Sequence, residues 1–234
     1  MGVKRAARMA LVLWILVLGM AVGARAEGKG TQRIKEKAKE GTMSETDKLT
    51  EEEGRQLVAV ARETIHKALF NPQDKSESEA SGSPKFQERR GTFVTLTLNG
   101  ALRGCIGHII PQESLIEGVR INAINAAFRD PRFRPLGRNE FEKIKVEVSI
   151  LTEPKPLSYT DADDLLAKLR PGTDGVIIRK GPHQATFLPQ VWEQLPNKKD
   201  FLTHLCLKAG LDRDAWAREK LQVHVYQVQA FEEE

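Results

Sequence analysis

Apolar residues first fall into register at Leu57, Ala61, Ile65 and Ala68, with Val58 and Leu69 beside them, which is the spacing of a helix with one buried face. Thr50 and Glu53 stand just ahead of this run as a capping box, so the helix is expected to open near Thr50 and to end at Asn71-Pro72. Thr92 to Leu98 reads as a strand, Asn99-Gly100 as a type I′ turn, and Ala101 to Ile106 as the returning strand. A two-residue turn sets the register. It is expected to place Leu98 opposite Ala101, Leu96 opposite Arg103 and Val94 opposite Cys105, with Arg103 and Cys105 on one face. A second helix is expected from about Glu113 to Phe128, stopped by Asp130-Pro131 and followed by an irregular loop from Arg132 to Gly137. Lys145 to Leu151 alternates, with Val146, Val148 and Ile150 inward and Glu147 and Ser149 on the other face.

In the remaining third, Asp161 caps a short helix through Leu169, and Gly175 to Arg179 and Gln184 to Leu188 form a hairpin around Gly181-Pro182. A turn over Val191 to Leu195 leads to a helix from Lys199 to Ala209, stopped by Gly210, and one last strand is expected from about Leu221 to Phe231. Hairpins mixed with helices, rather than strictly alternating strands and helices, predict an α+β fold. Its antiparallel-rich sheet carries flanking helices.

The chain ahead of Thr50 has a different character. Lys4, Arg5 and Arg8 precede an apolar run from Met9 to Val22, and Ala24-Arg25-Ala26 offers small residues in the arrangement a signal peptidase accepts. Residues 1–26 are therefore expected to be a signal peptide and 27–49 a disordered linker. The folded domain is expected over 50–232, with a mobile loop at 74–85. The apolar run is shorter than the ~20 residues of a membrane span, so a membrane would be met only through an uncleaved signal. The expected location is periplasmic or extracellular. The leader also changes the meaning of the net charge of +4: it holds Lys4, Arg5, Arg8 and Arg25 and no acid, which leaves 32 basic against 32 acidic residues. A balanced mature chain lacks the broad positive field of a nucleic-acid binder.

Cys105 has two readings. It is a nucleophile or redox thiol if Arg103 lowers its pKa and Glu147 or His108 handles protons; it is a small buried core residue otherwise. Gly104 and Gly107 would let a ligand approach the strand backbone. The loop Arg129-Asp-Pro-Arg-Phe-Arg134 is read either as a carboxylate or phosphate site built on its three guanidiniums, with Asp130 and Arg132 as candidate binding residues, or as a turn in which Arg129 pairs with Asp130 and Phe133 faces the core. Ser149 and Glu147 project towards the same groove, or form a salt bridge on a half-exposed sheet. A Cys105–Cys206 disulfide is permitted in an oxidising compartment, although Cys206 also suits helix packing. The five histidines make no zinc pattern, Trp192 reads as a core anchor, and no Walker or G-x-S-x-G motif is present.

Five ordered segments carry a family resemblance: Leu102-Arg-Gly-Cys-Ile-Gly107, Ala126-Ala-Phe-Arg-Asp-Pro-Arg-Phe133, Glu147-Val-Ser149, Phe187-Leu-Pro-Gln-Val-Trp192 and Cys206-Leu-Lys-Ala-Gly-Leu211. The chain closely resembles the AMMECR-type domain family, known in prokaryotes as AmmeMemoRadiSam system protein A, over roughly Glu51 to Phe231. The resemblance implies a sheet with flanking helices beside a smaller second subdomain, with the LRGCIG strand near a groove between them. The family's name also records gene association with a Memo-like protein and a radical-SAM protein, which makes a Memo-like protein an expected partner, and it implies no defined activity or cofactor. The export leader and the polar 74–85 insertion depart from the family pattern. The resulting expectation is a binding or accessory domain for a small anionic molecule or a partner, with a thiol-dependent enzyme or redox protein as the alternative.

Overall fold

Helix α1 (Glu51–Phe70) starts where reciprocal capping bonds satisfy its first amides. In the computed structural model, which describes residues 48–74 and 83–233, Thr50 Oγ1 accepts the Glu53 amide at 3.1 Å and Glu53 Oε2 accepts the Thr50 amide at 2.7 Å. The expected signal peptide, nearly all of the expected linker, and positions 75–82 of the expected loop lie outside the described residues. The described end of that loop departs from expectation. Pro84–Gln87 forms a 3-10 turn, because Phe86 is apolar enough to leave the polar stretch and join the core.

Strands β1 (Thr92–Leu98) and β2 (Ala101–His108) are joined by Asn99 and Gly100 at φ 51° and 79°, the left-handed pair a type I′ turn needs. With β3 (Ile144–Leu151) and β8 (Val228–Glu232) they form an antiparallel sheet in the order β2-β1-β3-β8. Helices α1 and α2 (Leu115–Phe128) cover one face of it, over Val94, Leu96, Val146 and Val148, which are fully buried. Burying such side chains contributes about 1.5–3 kcal/mol each.

The second sheet, in the order β4-β7-β5-β6, contains β4 (Lys155–Pro156), β5 (Gly175–Lys180), β6 (His183–Phe187) and β7 (Gln222–Tyr226). Its core lies under α3 (Ala162–Lys168), α4 (Lys198–Lys208) and α5 (Ala215–Arg218). Trp192 anchors this core, stacked on Phe201 at 3.6 Å between ring centres, with its Nε1 donating to the Asp174 carbonyl at 2.7 Å. The α+β class and the two-part build expected from sequence are what the structure has.

The single strand expected over 221–231 is two strands in different sheets. The chain leaves β7 and enters β8 at Gln227, whose amide donates to Thr152 Oγ1 at 2.9 Å while its carbonyl accepts the Thr152 amide at 2.9 Å. Thr152 directly follows β3, so the two passages between sheets are tied to each other. An extended run carries no mark of where it changes partner. Leu151, Ile177, Leu188 and Tyr226 form a small apolar seam there, with Phe93, Ile109 and Val228 packed against it.

Candidate functional site

The LRGCIG strand does not keep the simple register of its hairpin. Leu98 pairs with Ala101 as expected, but the next pairs are Thr97 with Leu102 and Leu96 with Gly104, so Arg103 is the extra residue of a β-bulge. Cys105 therefore faces Thr95 rather than Val94. A one-residue slip exchanges the faces of a strand, and it moves Cys105 from the helix-covered face to the row Cys105–Thr95–Glu147 that crosses three strands.

The expected Arg103–Cys105 partnership is absent as a result. Arg103 grips Glu140 with both arms of its fork, Nε to Oε1 at 2.9 Å and Nη2 to Oε2 at 3.1 Å, and lies over the Phe133 ring. This ion pair is buried. Glu140 Oε2 also accepts the Gly137 amide at 2.9 Å. The Arg103 hydrogen bonds hold the Glu140 carboxyl down at about 2, against the cost of its burial.

Cys105 is only 6% exposed, and the Thr95 hydroxyl donates to its sulfur at 3.3 Å. Burial pushes the thiol up to about 11; the Thr95 bond and the charge of Arg132 act in the opposite direction and do not overcome it. The nearby cation is thus Arg132, not Arg103. Cys206 is a second buried free thiol, packed within the core of the other sheet.

Asp130 and Arg132 act on the backbone of Cys105. Asp130 Oδ2 accepts the Cys105 amide at 2.9 Å, and Arg132 Nη2 donates to the Cys105 carbonyl at 3.0 Å. The two side chains also bind each other, Arg132 Nη2 to Asp130 Oδ2 at 2.6 Å and Nε to Oδ1 at 2.8 Å. Because β2 is an edge strand, this pair imitates a missing neighbour strand and satisfies the exposed ladder groups. Burial alone would raise Asp130; its bonds from Arg132 and from two backbone amides win, so the carboxyl lies below its ordinary value. Arg129 pairs with Asn125 instead of Asp130, and Phe133 sits half-buried beneath the Arg103 and Arg132 guanidiniums rather than in the core.

The glycines of the strand leave no room for a ligand. A Cβ on Gly104 would meet the Ala126 carbonyl oxygen at 2.1 Å, where α2 closes onto β2, and one on Gly107 would meet the Phe93 ring at 2.3 Å. His108 belongs to a separate polar cluster. Its Nδ1 lies 3.3 Å from Asn122 Nδ2, which also donates to the Thr92 hydroxyl at 2.7 Å. His108 Nε2 lies 3.1 Å from Glu113 Oε1 but has no hydrogen-bond partner among the described residues. Ser149 is buried and donates to Glu147 Oε1 at 3.2 Å.

Of the residues singled out from sequence, Cys105, Asp130, Arg132 and Glu147 lie together; Arg103 and His108 lead to partners of their own. Sequence reasoning missed Glu140, Thr95 and Asn122, because no local signal announces a partner that arrives from a distant loop, a neighbouring strand or the helix packed on the sheet. It also missed a cavity of about 580 Å³ where the two sheets meet, lined among others by Arg89, Arg90, Ile109, Ile110, Arg179 and His224. The Arg89-Arg90 pair just ahead of β1 was the available signal.

The class the fold defines is an α+β domain of two antiparallel sheets with flanking helices. The chain belongs to the AMMECR1 family, whose pattern matches residues 58–231. It is 45% identical over 190 residues to a protein of Methanosarcina mazei, covering 79% of this chain and 94% of that one. It is 40% identical over 196 residues to protein MK0488 of Methanopyrus kandleri, covering 80% of this chain and 92% of that one. The crystal structure of the uncharacterised protein PH0010 from Pyrococcus horikoshii is similar, with a TM-score of 0.71 and 35% identity, covering 80% of this chain and 94% of that chain. The names of these relatives assign no activity.

Proposed function

We propose that this protein is a binding or accessory domain, with its receptive surface where the LRGCIG strand runs out towards the seam between the sheets. The observation that carries this reading is the state of Cys105. Its sulfur is buried, its thiol lies near 11, and the guanidinium expected to activate it is committed to Glu140. A thiol enzyme needs a thiolate near neutral pH and a path to it. The LRGCIG and Asp130–Arg132 residues instead support one another and hold the hairpin in place.

We further read the chain as the AmmeMemoRadiSam system protein A type, with a Memo-like protein as a candidate partner. The leader at residues 1–26 would carry the domain out of the cytoplasm and away from a radical-SAM partner; an exported chain starting at Glu27 is the check. The functional reading is tested by iodoacetamide labelling of the folded protein near pH 7, with peptide mapping of Cys105. A thiol near 11 rather than the ordinary 9.0 gives a thiolate fraction roughly a hundredfold smaller, so labelling should be at least that much slower than in the unfolded chain. Labelling of folded Cys105 as fast as the unfolded thiol would restore the enzyme reading.

A further inference from the structure

We infer that the cavity at the seam is a binding site for a small organic oxyanion with an apolar body, its head held by Arg89 and Arg179 and its body laid against Ile109, Ile110 and Ile177. This rests on the binding-domain reading and adds the ligand class. The walls come from both sheets. Ile177 and Arg179 alternate with the core residues Val176 and Ile178 along β5, so they project from the face turned away from the second core. On the same face, β7 places His224 opposite Ile177 and Gln222 opposite Arg179. The opposing wall is the open end of the β1–β2 hairpin: Arg89 and Arg90 enter it and Ile109 and Ile110 leave it, just beyond the last pair Thr92–His108.

The charges around this cavity are not balanced. Arg90 is engaged by Glu88, at 2.9 Å and 2.6 Å from its Nε and Nη2. Arg179 has only a long 3.5 Å contact to the Gly181 carbonyl, and Arg89 has no hydrogen-bonding or ionic partner among the described residues. Glu153 is the single carboxylate in the lining. Two uncommitted guanidiniums, one from each sheet's side of the seam, suit an oxyanion held by charge-assisted bonds. The apolar part is equally specific, since Ile110 is 56% exposed at this site, one of three exposed large apolar side chains among the described residues. A volume of about 580 Å³ lies within the range of small-molecule sites.

The probe is 8-anilino-1-naphthalenesulfonate, an apolar anion whose fluorescence rises on binding, titrated into the full chain. One saturable site is expected. Arg89→Gln combined with Arg179→Gln should weaken it by about tenfold or more, the equivalent of losing one charge-assisted hydrogen bond. The neutral N-phenyl-1-naphthylamine should change by less than about twofold, since it has no head group to lose. Ile110→Asp should weaken both probes. Phenyl phosphate and phenylacetate serve as competitors; the better of the two identifies the head group as phosphate or carboxylate. Unchanged sulfonate affinity in the double arginine variant, or displacement by neither competitor, would overturn the site. Rapid labelling of Cys105 would overturn the underlying reading while leaving the arginine dependence intact, so the two failures are distinguishable.

Discussion

Arg103 shows how one buried guanidinium is spoken for by geometry rather than by sequence neighbourhood. Two residues from a cysteine on a strand, it invites the reading of a thiol activator, yet the bulge at its own position directs its fork to Glu140. Removing one partner of a buried pair leaves the other charge uncompensated, so Glu140→Gln should destabilise the domain by roughly 3 kcal/mol near neutral pH. The sign of the pH dependence follows from the direction of the shift. Glu140 titrates near 2 in the folded protein against 4.5 ordinarily, so the stability it contributes is fully present above about 4.5 and is lost as pH falls through about 2. The stability gap between wild type and Glu140→Gln, measured by urea unfolding, should therefore narrow steadily from pH 4.5 towards 2. A gap that stays constant over that window would remove the ion pair from the account.

At the scale of elements, β2 is clasped from three sides: β1 along one edge, the Asp130–Arg132 pair along the other, and the end of α2 against Gly104. The clash at Gly104 is with backbone, which cannot rotate away as a side chain can. Gly104→Ala should accordingly cost about 3 kcal/mol, at the upper end of ordinary overpacking, and lower the urea midpoint without changing the slope. A loss below about 0.5 kcal/mol, the scale of a surface substitution, would mean that α2 and β2 are not in close contact. Most elements were legible in the sequence because they are written locally, whereas the two-residue strand β4 and the short helix α5 were not anticipated. The capping box at Thr50 and Glu53, the Asn99-Gly100 turn, and the alternation of Val146, Val148 and Ile150 all appear in the structure as expected. What escaped was non-local. A bulge is set by how the hairpin meets α2 and the 129–140 loop, and its consequence, the transfer of Cys105 to the other face, reversed the expected chemistry of the site. The break of the last strand at Gln227 escaped for the same reason, since only the second sheet decides where that strand must leave.

For the whole molecule, the significant feature is the seam. Two cores of separate composition meet through a small apolar cluster at Leu151, Ile177, Leu188 and Tyr226, and the chain crosses between the sheets at two adjacent points. Tyr226 is fixed there: its hydroxyl lies 3.0 Å from Thr186 Oγ1 and donates to the Phe187 carbonyl at 3.2 Å. Clefts where structural units join are common ligand sites because each side supplies groups the other lacks. Here the hairpin end contributes Arg89 and Ile110, and the outer face of β5 contributes Ile177 and Arg179. On the proposed reading, the LRGCIG strand has a scaffold's work, holding one wall of this cleft.

That assignment turns on the protonation state of one sulfur. The most direct measurement is a pH titration of the folded chain labelled with carbon-13 at the cysteine Cβ, using Cys206→Ser to leave a single signal. The account predicts that the Cys105 resonance stays at its thiol position through neutral pH and moves only near 11. A midpoint at or below about 7.5, the upper limit of activated cysteines, would contradict it.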